Sequence, residues 1–274
     1  MKKTQTSTEL KSLLKSLIPP IFFTFLNKFT GRKYGWKGNY SSWEEVCCHS
    51  TGYDQDDILN KVKESALKVK SGEAAYERDS VVFDEVCYSW PLLSGILLSS
   101  VSSGSIRVLD FGGGLGSSYY QNKKFLELFD KVSWNIIEQP NFVNTGKQYF
   151  SDDCLRFYPD LDSCLDEQQP NVLLLSSVMQ YIEKPYELME QLLKRRFEYI
   201  VVDRTPFSHD DKDQLKLQVV SPVIYSASYP CWFFSETSFV EHYLKNGYKL
   251  IESFTSLEGN SRDCMFKGMI FKRD

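Results

Sequence analysis

The sequence predicts a doubly wound α/β fold with a seven-stranded, mostly parallel sheet, a C-terminal antiparallel hairpin and an N-terminal helical extension. From Ile106 onward, short apolar runs alternate with amphipathic stretches, as buried parallel strands joined by helices require. The first of these runs leads directly into a glycine-rich turn. The last two are separated only by the polar segment 255–263, which is too short for a crossover helix, so they should pair antiparallel.

The composition indicates one elaborated globular domain. The chain has 274 residues, of which 42% are hydrophobic, and this is enough to bury a full core. The net charge of −4 gives no reason to expect a nucleic-acid partner. The seven cysteines are odd in number and form no C-x-x-C pair, so neither a disulfide framework nor a metal site is predicted. Reduced thiols favour a cytoplasmic protein.

The first forty residues form a basic arm. Residues 1–40 carry a net charge of +7, whereas the rest of the chain carries −11. Such an arm favours contact with an anionic surface or substrate, and a solvated terminus is the equal alternative. The apolar run Leu17 to Phe29 is too short to span a bilayer and has no cleavage site after it. It suits peripheral contact with the inner face of a membrane or, slightly better, packing on the domain body.

Two regions are predicted along the chain. Residues 1–101 are interpreted as the basic arm and a helical cap, and residues 102–274 as the main domain. A helix should end at Gly72. A second helical stretch should run from Val81 to Val101, with Pro91 kinking or restarting it.

The main domain has seven candidate strands. They are Ile106–Phe111, Ser133–Glu138, Cys154–Tyr158, Val172–Ser176, Tyr199–Asp203, Tyr248–Phe254 and Met265–Phe271. A helix from Glu236 to Asn246, capped by Ser235, should precede the sixth strand. The long segment between the fifth strand and that helix, residues 206–234, is interpreted as a lid over the substrate site.

The glycine-rich turn is the strongest local signal. The first strand runs into Gly112, Gly113, Gly114 and Gly116, and a helix follows. Glycines there allow a tight turn and a close approach of the backbone to a ligand, and the helix N-terminus adds amide donors. The spacing is G-x-G-x-G and differs from that of dinucleotide binders. Asp110 precedes the turn, where it either fixes the loop or reaches a cationic ligand group, and a purely structural tight turn is the alternative.

Glu138 ends the second strand. A carboxylate at this position can accept hydrogen bonds from ribose hydroxyls. A solvated acid at a strand end is the alternative interpretation. Together with the glycine turn, Glu138 favours a nucleoside-containing ligand.

Residues 106–272 resemble class I S-adenosylmethionine-dependent methyltransferases, which have a Rossmann-like fold. The resemblance rests on the D-x-G-x-G-x-G turn from Asp110 to Gly116, the acid that ends strand two and the terminal hairpin. It implies S-adenosylmethionine as cofactor, with the turn holding its methionine part and Glu138 its ribose. The whole chain also resembles a narrower group of methyltransferases from bacterial surface-polysaccharide biosynthesis clusters, and this resemblance includes the N-terminal segments Tyr40-Ser-Ser-Trp43, Gly52-Tyr53 and Glu77-Arg-Asp79.

The carboxyl ends of the fourth and fifth strands supply further candidates, because open α/β sheets bind ligands along that edge. Ser177, Gln180 and Tyr181 follow the fourth strand, with Ser177 assigned to the cofactor and Gln180 to the substrate. Asp203 and Arg204 end the fifth strand, and Arg204 is a substrate-binding candidate. A structural salt-bridged pair is the alternative for these last two residues.

The lid segment adds aromatic and imidazole side chains. Tyr229 and Trp232 suit the face of a sugar, although an ordinary hydrophobic lid explains them equally well. His209 is the best general base by residue type, with Asp203 and Tyr181 as the other catalytic candidates. A histidine in a charged loop is more often simply exposed.

The function predicted from these features is transfer of a methyl group from S-adenosylmethionine to a small molecule or glycan, with a sugar hydroxyl in polysaccharide biosynthesis as the expected acceptor. One alternative is a non-catalytic binding module that docks to a glycan-assembly complex. The other is a nucleotide-sugar oxidoreductase, against which the glycine spacing and the terminal hairpin argue.

Overall fold

The structure, a computed structural model, describes residues 34–51, 55–222 and 224–274. Its helices are α1 (Trp43–His49), α2 (Gln55–Lys70), α3 (Trp90–Leu98), α4 (Ser100–Ser103), α5 (Ser117–Leu126), α6 (Pro140–Tyr149), α7 (Leu161–Glu167), α8 (Pro185–Leu193) and α9 (Glu236–Lys245). Its strands are β1 (Gly35–Tyr40), β2 (Tyr76–Arg78), β3 (Val81–Phe83), β4 (Ile106–Phe111), β5 (Val132–Ile137), β6 (Leu155–Tyr158), β7 (Val172–Ser176), β8 (Tyr199–Phe207), β9 (Gln214–Val219), β10 (Ser228–Phe233), β11 (Tyr248–Asn260) and β12 (Met265–Arg273). A 3-10 turn spans Met179–Tyr181.

The main sheet has seven strands in the order β11-β12-β8-β7-β4-β5-β6. Strands β4 to β8 pair in parallel, and β12 pairs antiparallel with both β8 and β11. The predicted fold is therefore confirmed. The chain leaves β4 first towards β5 and β6 and later returns to β7 on the other side of β4, so the strand order reverses there. At such a reversal the carboxyl ends of the strands border a crevice.

Helices cover both faces of the sheet. Helices α2, α3, α5 and α6 pack on one face, around the buried Trp134 and Ile136. Helices α7, α8 and α9 pack on the other, around Leu109 and Leu175. The strand β7 reads Val-Leu-Leu-Leu before its last serine, and all four apolar residues are buried, as a central parallel strand between two helical layers requires.

Strands β8 and β11 are much longer than predicted, and β12 extends slightly further, to Arg273. Strand β8 continues to Phe207, and β11 runs through most of the segment 255–263 that the sequence indicated as a loop. The long hairpin is the physical reason, because Met265 of β12 pairs with Phe207 and Asn260 pairs with Met265. Cross-strand pairing satisfies the backbone of this polar stretch, so its composition did not reveal a strand.

The N-terminal region contains the helices α1 to α4, and it also contains three strands that the sequence did not indicate. Strand β1 pairs antiparallel with β9, and β9 with β10, so the N-terminal region and the lid segment share one three-stranded sheet. Strands β2 and β3 form a separate hairpin. Pro91 lies in the first turn of α3 and starts that helix, since its missing N–H costs nothing there.

Residues 1–33, with most of the basic arm and the whole apolar run from Leu17 to Phe29, lie outside the described residues, as does the Gly52-Tyr53 segment. Within the described ranges, no helix combines the length and apolar character needed to cross a membrane.

Candidate functional site

The glycine turn lies at the carboxyl end of β4. Gly112, Gly114 and Gly116 have φ angles of 72°, 59° and 100°, values at which a side chain strains the backbone. A Cβ atom on Gly114 would meet nothing within 4 Å, so this part of the turn faces open space. Gly116 is the N-cap of α5 and provides no side-chain cap, which leaves the first amides of the helix near the turn.

The side chain of Asp110 packs against the glycine turn and fixes it to β5. Its carboxylate is 1% exposed and accepts a hydrogen bond of 2.9 Å from Nε1 of Trp134 on β5. A Cβ atom on Gly113 would collide with this carboxylate, so the Asp110 side chain packs directly against the backbone of Gly113. Burial raises the pKa of Asp110 to about 7. The structure thus gives Asp110 the loop-fixing contact that the sequence suggested as one of its two roles.

Glu138 lies directly after β5, across the turn from Asp110. One carboxylate oxygen accepts the backbone N–H of Gly114 at 3.2 Å, and the other accepts that of Gln139 at 2.8 Å. Burial is the main cause that raises the pKa of Glu138 above its ordinary value. The carboxylate is therefore fixed beside the open side of the glycine turn.

The raised pKa of Asp110 makes stability depend on pH. The folded state holds this proton up to about pH 7, whereas the unfolded chain releases it near pH 4, so the free energy of unfolding should fall as the pH rises through this window. An Asp110→Asn variant can still accept the Trp134 hydrogen bond and cannot ionise. Urea denaturation at pH 5 and pH 8 should show a smaller loss of stability in the variant than in wild type. Parallel pH profiles would contradict this account.

The carboxyl end of β7 is hydrogen-bonded to β8 at Asp203 and Arg204. Ser177 has a positive φ of 56°, and its N–H donates to the carbonyl oxygen of Asp203 at 3.0 Å. The buried amide of Gln180 donates to Oγ of Ser177 at 3.1 Å and to the carbonyl oxygen of Arg204 at 3.3 Å. Four of the predicted site residues thus meet at one point of the sheet edge.

Asp203 is buried at the centre of a hydrogen-bond cluster. Its carboxylate accepts from Oγ of Ser256 at 2.6 Å, from Oγ of Ser89 at 3.1 Å and from the N–H of Arg204 at 2.8 Å. Burial is the largest cause of its raised pKa. The serines come from the β11 hairpin and from the residue before α3, so Asp203 joins three separate parts of the chain.

Arg204 belongs to a network of charged side chains above this cluster. Its Nε donates to Oε1 of Glu258 at 2.7 Å, and its Nη2 donates to Oδ2 of Asp79 at 3.0 Å. Arg78 donates to the same oxygen of Glu258 at 3.1 Å. We call Arg78, Asp79, Arg204 and Glu258 the arginine network. It connects the β2–β3 hairpin to the ends of β8 and β11.

Two cavities border this edge of the sheet. The smaller, of about 20 Å³, is the polar cavity, lined by Tyr76, Arg78, Ser89, Leu92, Ser117, Ser118, Gln121, Ser176, Asp203, Arg204 and Leu257. The larger, of about 720 Å³, lies on the opposite face of the sheet between α7 and α8. Its lining consists of Phe111, Ile137, Pro159, Asp160, Leu161, Asp162, Leu188, Gln191, Leu192, Lys194 and Arg195. The glycine turn therefore stands between a polar cavity and a larger, partly apolar one.

The lid segment packs on the 3-10 turn. The ring of Tyr229 meets Tyr181 edge to face at 5.3 Å, and the Tyr181 hydroxyl donates to Oε1 of Gln218 at 3.1 Å. Burial holds the pKa of Tyr181 well above its usual range, so this hydroxyl stays protonated near neutrality. Trp232 stacks on Trp43 at 6.4 Å and donates to the carbonyl oxygen of Ile182. One face of Trp232 is therefore already covered.

His209 lies outside this group. It is exposed, and its Nε2 is 3.0 Å from the carbonyl oxygen of Ser261 in the β11–β12 connection. Strand β8 continues from Asp203 to Phe207, which carries the chain about 13 Å further along the strand before His209 is reached.

Residues of the β2–β3 hairpin were not recognised as site residues from the sequence. Glu77 accepts a hydrogen bond from Ser117 at the start of α5, and Arg78 is part of the arginine network. The sequence had assigned no role in the site to the Glu77-Arg-Asp79 segment. The hairpin turn uses Asp79 and Ser80 at φ angles of 50° and 65°. Such turns usually carry Asn-Gly or Asp-Gly, so the ordinary sequence signal of a hairpin was missing.

The described residues contain no group of three or more His, Cys, Asp or Glu side chains arranged to hold a metal ion.

Comparison with known proteins places the fold. No family model and no curated protein matches the sequence. Among solved structures, the N-terminal domain of EvdMO1, crystallised in the presence of SAH and D-fucose, has a TM-score of 0.50 and 12% identity over 81% of this chain and 98% of its own. A 1,6-didemethyltoxoflavin-N1-methyltransferase from Burkholderia thailandensis has a TM-score of 0.45 and 9% identity over 89% of this chain and 97% of its own.

A structure described as a pericyclic reaction enzyme has a TM-score of 0.46 and 12% identity, and the likeness covers 68% of this chain and 47% of that one. At such identities the likeness concerns the fold: the chain has the Rossmann-like architecture of the EvdMO1 domain. Because one fold hosts many reactions, the function has to be argued from the site.

Proposed function

We propose that the protein is an S-adenosylmethionine-dependent methyltransferase that acts on a small polar acceptor, with a sugar hydroxyl as the preferred group. The observation that carries this proposal is the contact between Glu138 and the glycine turn at the point where the strand order reverses. A fixed carboxylate beside the partly exposed backbone at Gly114 suits a nucleoside whose ribose carries two free hydroxyls.

The residues present fit this cofactor. Glu138 would accept hydrogen bonds from the ribose hydroxyls, and the backbone at Gly114 would lie against the ligand, since a Cβ there meets only open space. The larger cavity starts beside Ile137, the residue before Glu138, and its apolar lining suits a purine base. Ser177, at the end of β7, would border the cofactor from the opposite side.

The charge of the site also supports a cationic ligand. Glu138, Asp203 and Glu77 lie beside the glycine turn or the polar cavity, and burial is the largest cause of the raised pKa of each. Within the described chain, none of these three takes part in an ion pair. Desolvated carboxylates favour a ligand that brings positive charge, and S-adenosylmethionine supplies its methyl group as a sulfonium.

Asp203 is the catalytic residue we favour. It lines the polar cavity, and its raised pKa brings it closer to neutrality, where a carboxylate can take a proton from a hydroxyl acceptor. Tyr181 is better placed to position the lid segment than to contact the acceptor, because it donates its single hydroxyl proton to Gln218. Positioning of the acceptor for in-line attack would supply much of the rate. His209 is the weaker candidate, since it is exposed and bound to the β11–β12 connection.

The acceptor side suits a polar molecule with ring faces. The lid segment presents Tyr229 above Tyr181, and Gln180 and Arg204 border the same sheet edge. The solved EvdMO1 domain was crystallised with D-fucose, which makes a sugar a reasonable first acceptor to test. The sequence resemblance implies that this sugar belongs to a pathway of polysaccharide biosynthesis, and we include that role in the proposal.

The experiment has two parts. Purified protein is first titrated with S-adenosylhomocysteine and, separately, with NAD; micromolar binding of the first and none of the second is expected. It is then incubated with S-adenosylmethionine and a panel of free, nucleotide-linked and lipid-linked sugars, and products are examined by mass spectrometry for one added methyl group. Binding of NAD alone would favour an oxidoreductase. Donor binding without transfer to any acceptor would favour a non-catalytic module.

A further inference from the structure

We propose that the β2–β3 hairpin completes the donor site, with Glu77 and Arg78 binding the ammonium and carboxylate groups at the amino-acid end of S-adenosylmethionine. This inference rests on the proposed function. It assigns these two residues to the cofactor, whereas all cofactor residues predicted from the sequence come from the main domain.

The side chain of Glu77 contacts the first residue of α5. This side chain is only 2% exposed, and Oγ of Ser117 donates a hydrogen bond to its Oε1. Ser117 directly follows Gly116, the last glycine of the turn. A carboxylate from the β2–β3 hairpin therefore contacts the residue that directly follows the glycine turn.

The order of strands indicates which end of the donor comes here. Glu138 follows β5, on one side of β4, while the polar cavity lies on the other side, at the ends of β7 and β8. A nucleoside held at Glu138 and lying across the turn would extend its remaining part towards this cavity. In S-adenosylmethionine, that remaining part is an α-amino acid with one positive and one negative group.

The two charges of that group have matching partners. Arg78 lines the polar cavity together with Ser117 and Ser118, and a guanidinium beside hydroxyls at a helix N-terminus suits a carboxylate. Glu77 provides the negative charge for the ammonium. Among the ion pairs of the described chain, none includes Glu77. Burial raises the pKa of Glu77 to about 7, and a cationic ligand group beside it would favour the ionised form.

Helix capping is the competing explanation for Glu77. Gly116 provides no side chain to cap α5, and a carboxylate near a helix N-terminus is stabilising on its own. A capping role predicts lower stability in a Glu77 variant and equal effects on every ligand that uses the glycine turn. A binding role predicts a loss confined to ligands that carry the amino-acid end.

The test therefore combines single substitutions in the protein with a ligand that lacks the amino-acid end. S-adenosylhomocysteine and 5′-methylthioadenosine, which lacks the amino-acid end, are titrated into wild type, Glu77→Gln, Arg78→Gln and Glu138→Ala, with folding verified by thermal melting. We expect Glu77→Gln to weaken S-adenosylhomocysteine at least tenfold and 5′-methylthioadenosine less than twofold, and Arg78→Gln to behave likewise. Glu138→Ala, the matched control at the ribose, should weaken both ligands to the same extent.

Equal loss for both ligands in the Glu77 and Arg78 variants, or no loss, would overturn this inference. Wild type alone gives an independent answer if a variant fails to fold, because equally tight binding of the two ligands would mean that the protein has no site for the amino-acid end. Failure of wild type to bind either ligand would instead refute the proposed function itself.

Discussion

Replacement of Gly112 by alanine is expected to destabilise the protein by about 3 kcal/mol and to abolish measurable donor binding. Gly112 has a φ of 72°, at which a Cβ costs about 1–2 kcal/mol. The new methyl group would also lie 2.5 Å from Cγ2 of Val178, and relief of this overpacking costs roughly another 1–3 kcal/mol. Because Val178 lies just before the 3-10 turn, the adjustment would displace both sides of the site.

Gly72 offers a matched control for this variant. It follows α2, has a φ of 79°, and a Cβ there would meet nothing within 4 Å. Gly72→Ala should therefore cost only the backbone term, about 1–2 kcal/mol, and leave the affinity for S-adenosylhomocysteine unchanged. Denaturation in guanidinium chloride and ligand titration measure the two effects. Equal stability losses in both variants would show that the turn does not pack against Val178 as described.

Removal of the central carboxylate of the arginine network is expected to cost about 3 kcal/mol or more. Glu258 accepts hydrogen bonds from both Arg78 and Arg204 and is only 18% exposed. The Arg204 and Arg78 guanidinium groups lower the pKa of Glu258 despite its burial, so it is ionised in the folded state at neutral pH. In Glu258→Ala, two largely buried guanidinium groups would lose their shared partner, and uncompensated buried charge is strongly destabilising.

An exposed ion pair in the same chain serves as the control. Glu241 pairs with Lys245 at 2.8 Å, but the two side chains are 52% and 73% exposed. Glu241→Ala should change the free energy of unfolding by less than about 0.5 kcal/mol. Similar values for Glu258→Ala and Glu241→Ala in urea denaturation would mean that the network does not hold the β2–β3 hairpin on the domain. A Glu258→Gln variant, which keeps the shape, should lose less than the alanine variant.

The main sheet could be predicted from the sequence because its strands are buried on both faces. A run such as Val172–Ser176 has to be continuously apolar, and its bounds agree with β7. The glycine turn and Glu138 were recognisable for a similar reason, since strict backbone geometry and a strand-end acid leave local signals. These features depend on neighbours that are close in sequence.

The remaining parts of the site depend on distant pairings. Strand β1 exists because it pairs with β9, nearly two hundred residues later in the chain, and nothing in its polar, glycine-containing sequence indicates a strand. The extra length of β11 comes instead from its hairpin partner β12, which follows it directly in the chain. Glu77 and Arg78 come from β2 and Glu258 from β11, and their contacts with Ser117 and Arg204 join segments far apart in the sequence, so this convergence could not be derived from local patterns.

The central claim is that the glycine turn and Glu138 form the donor site, and isothermal titration with S-adenosylhomocysteine, wild type beside Glu138→Ala, tests it most directly. The account predicts micromolar binding by wild type and at least tenfold weaker binding by the variant, a loss of about 1.4 kcal/mol. Both proteins should melt cooperatively, because Glu138 is only partly buried. No binding by well-folded wild type, or equal affinity in the two proteins, would contradict the account.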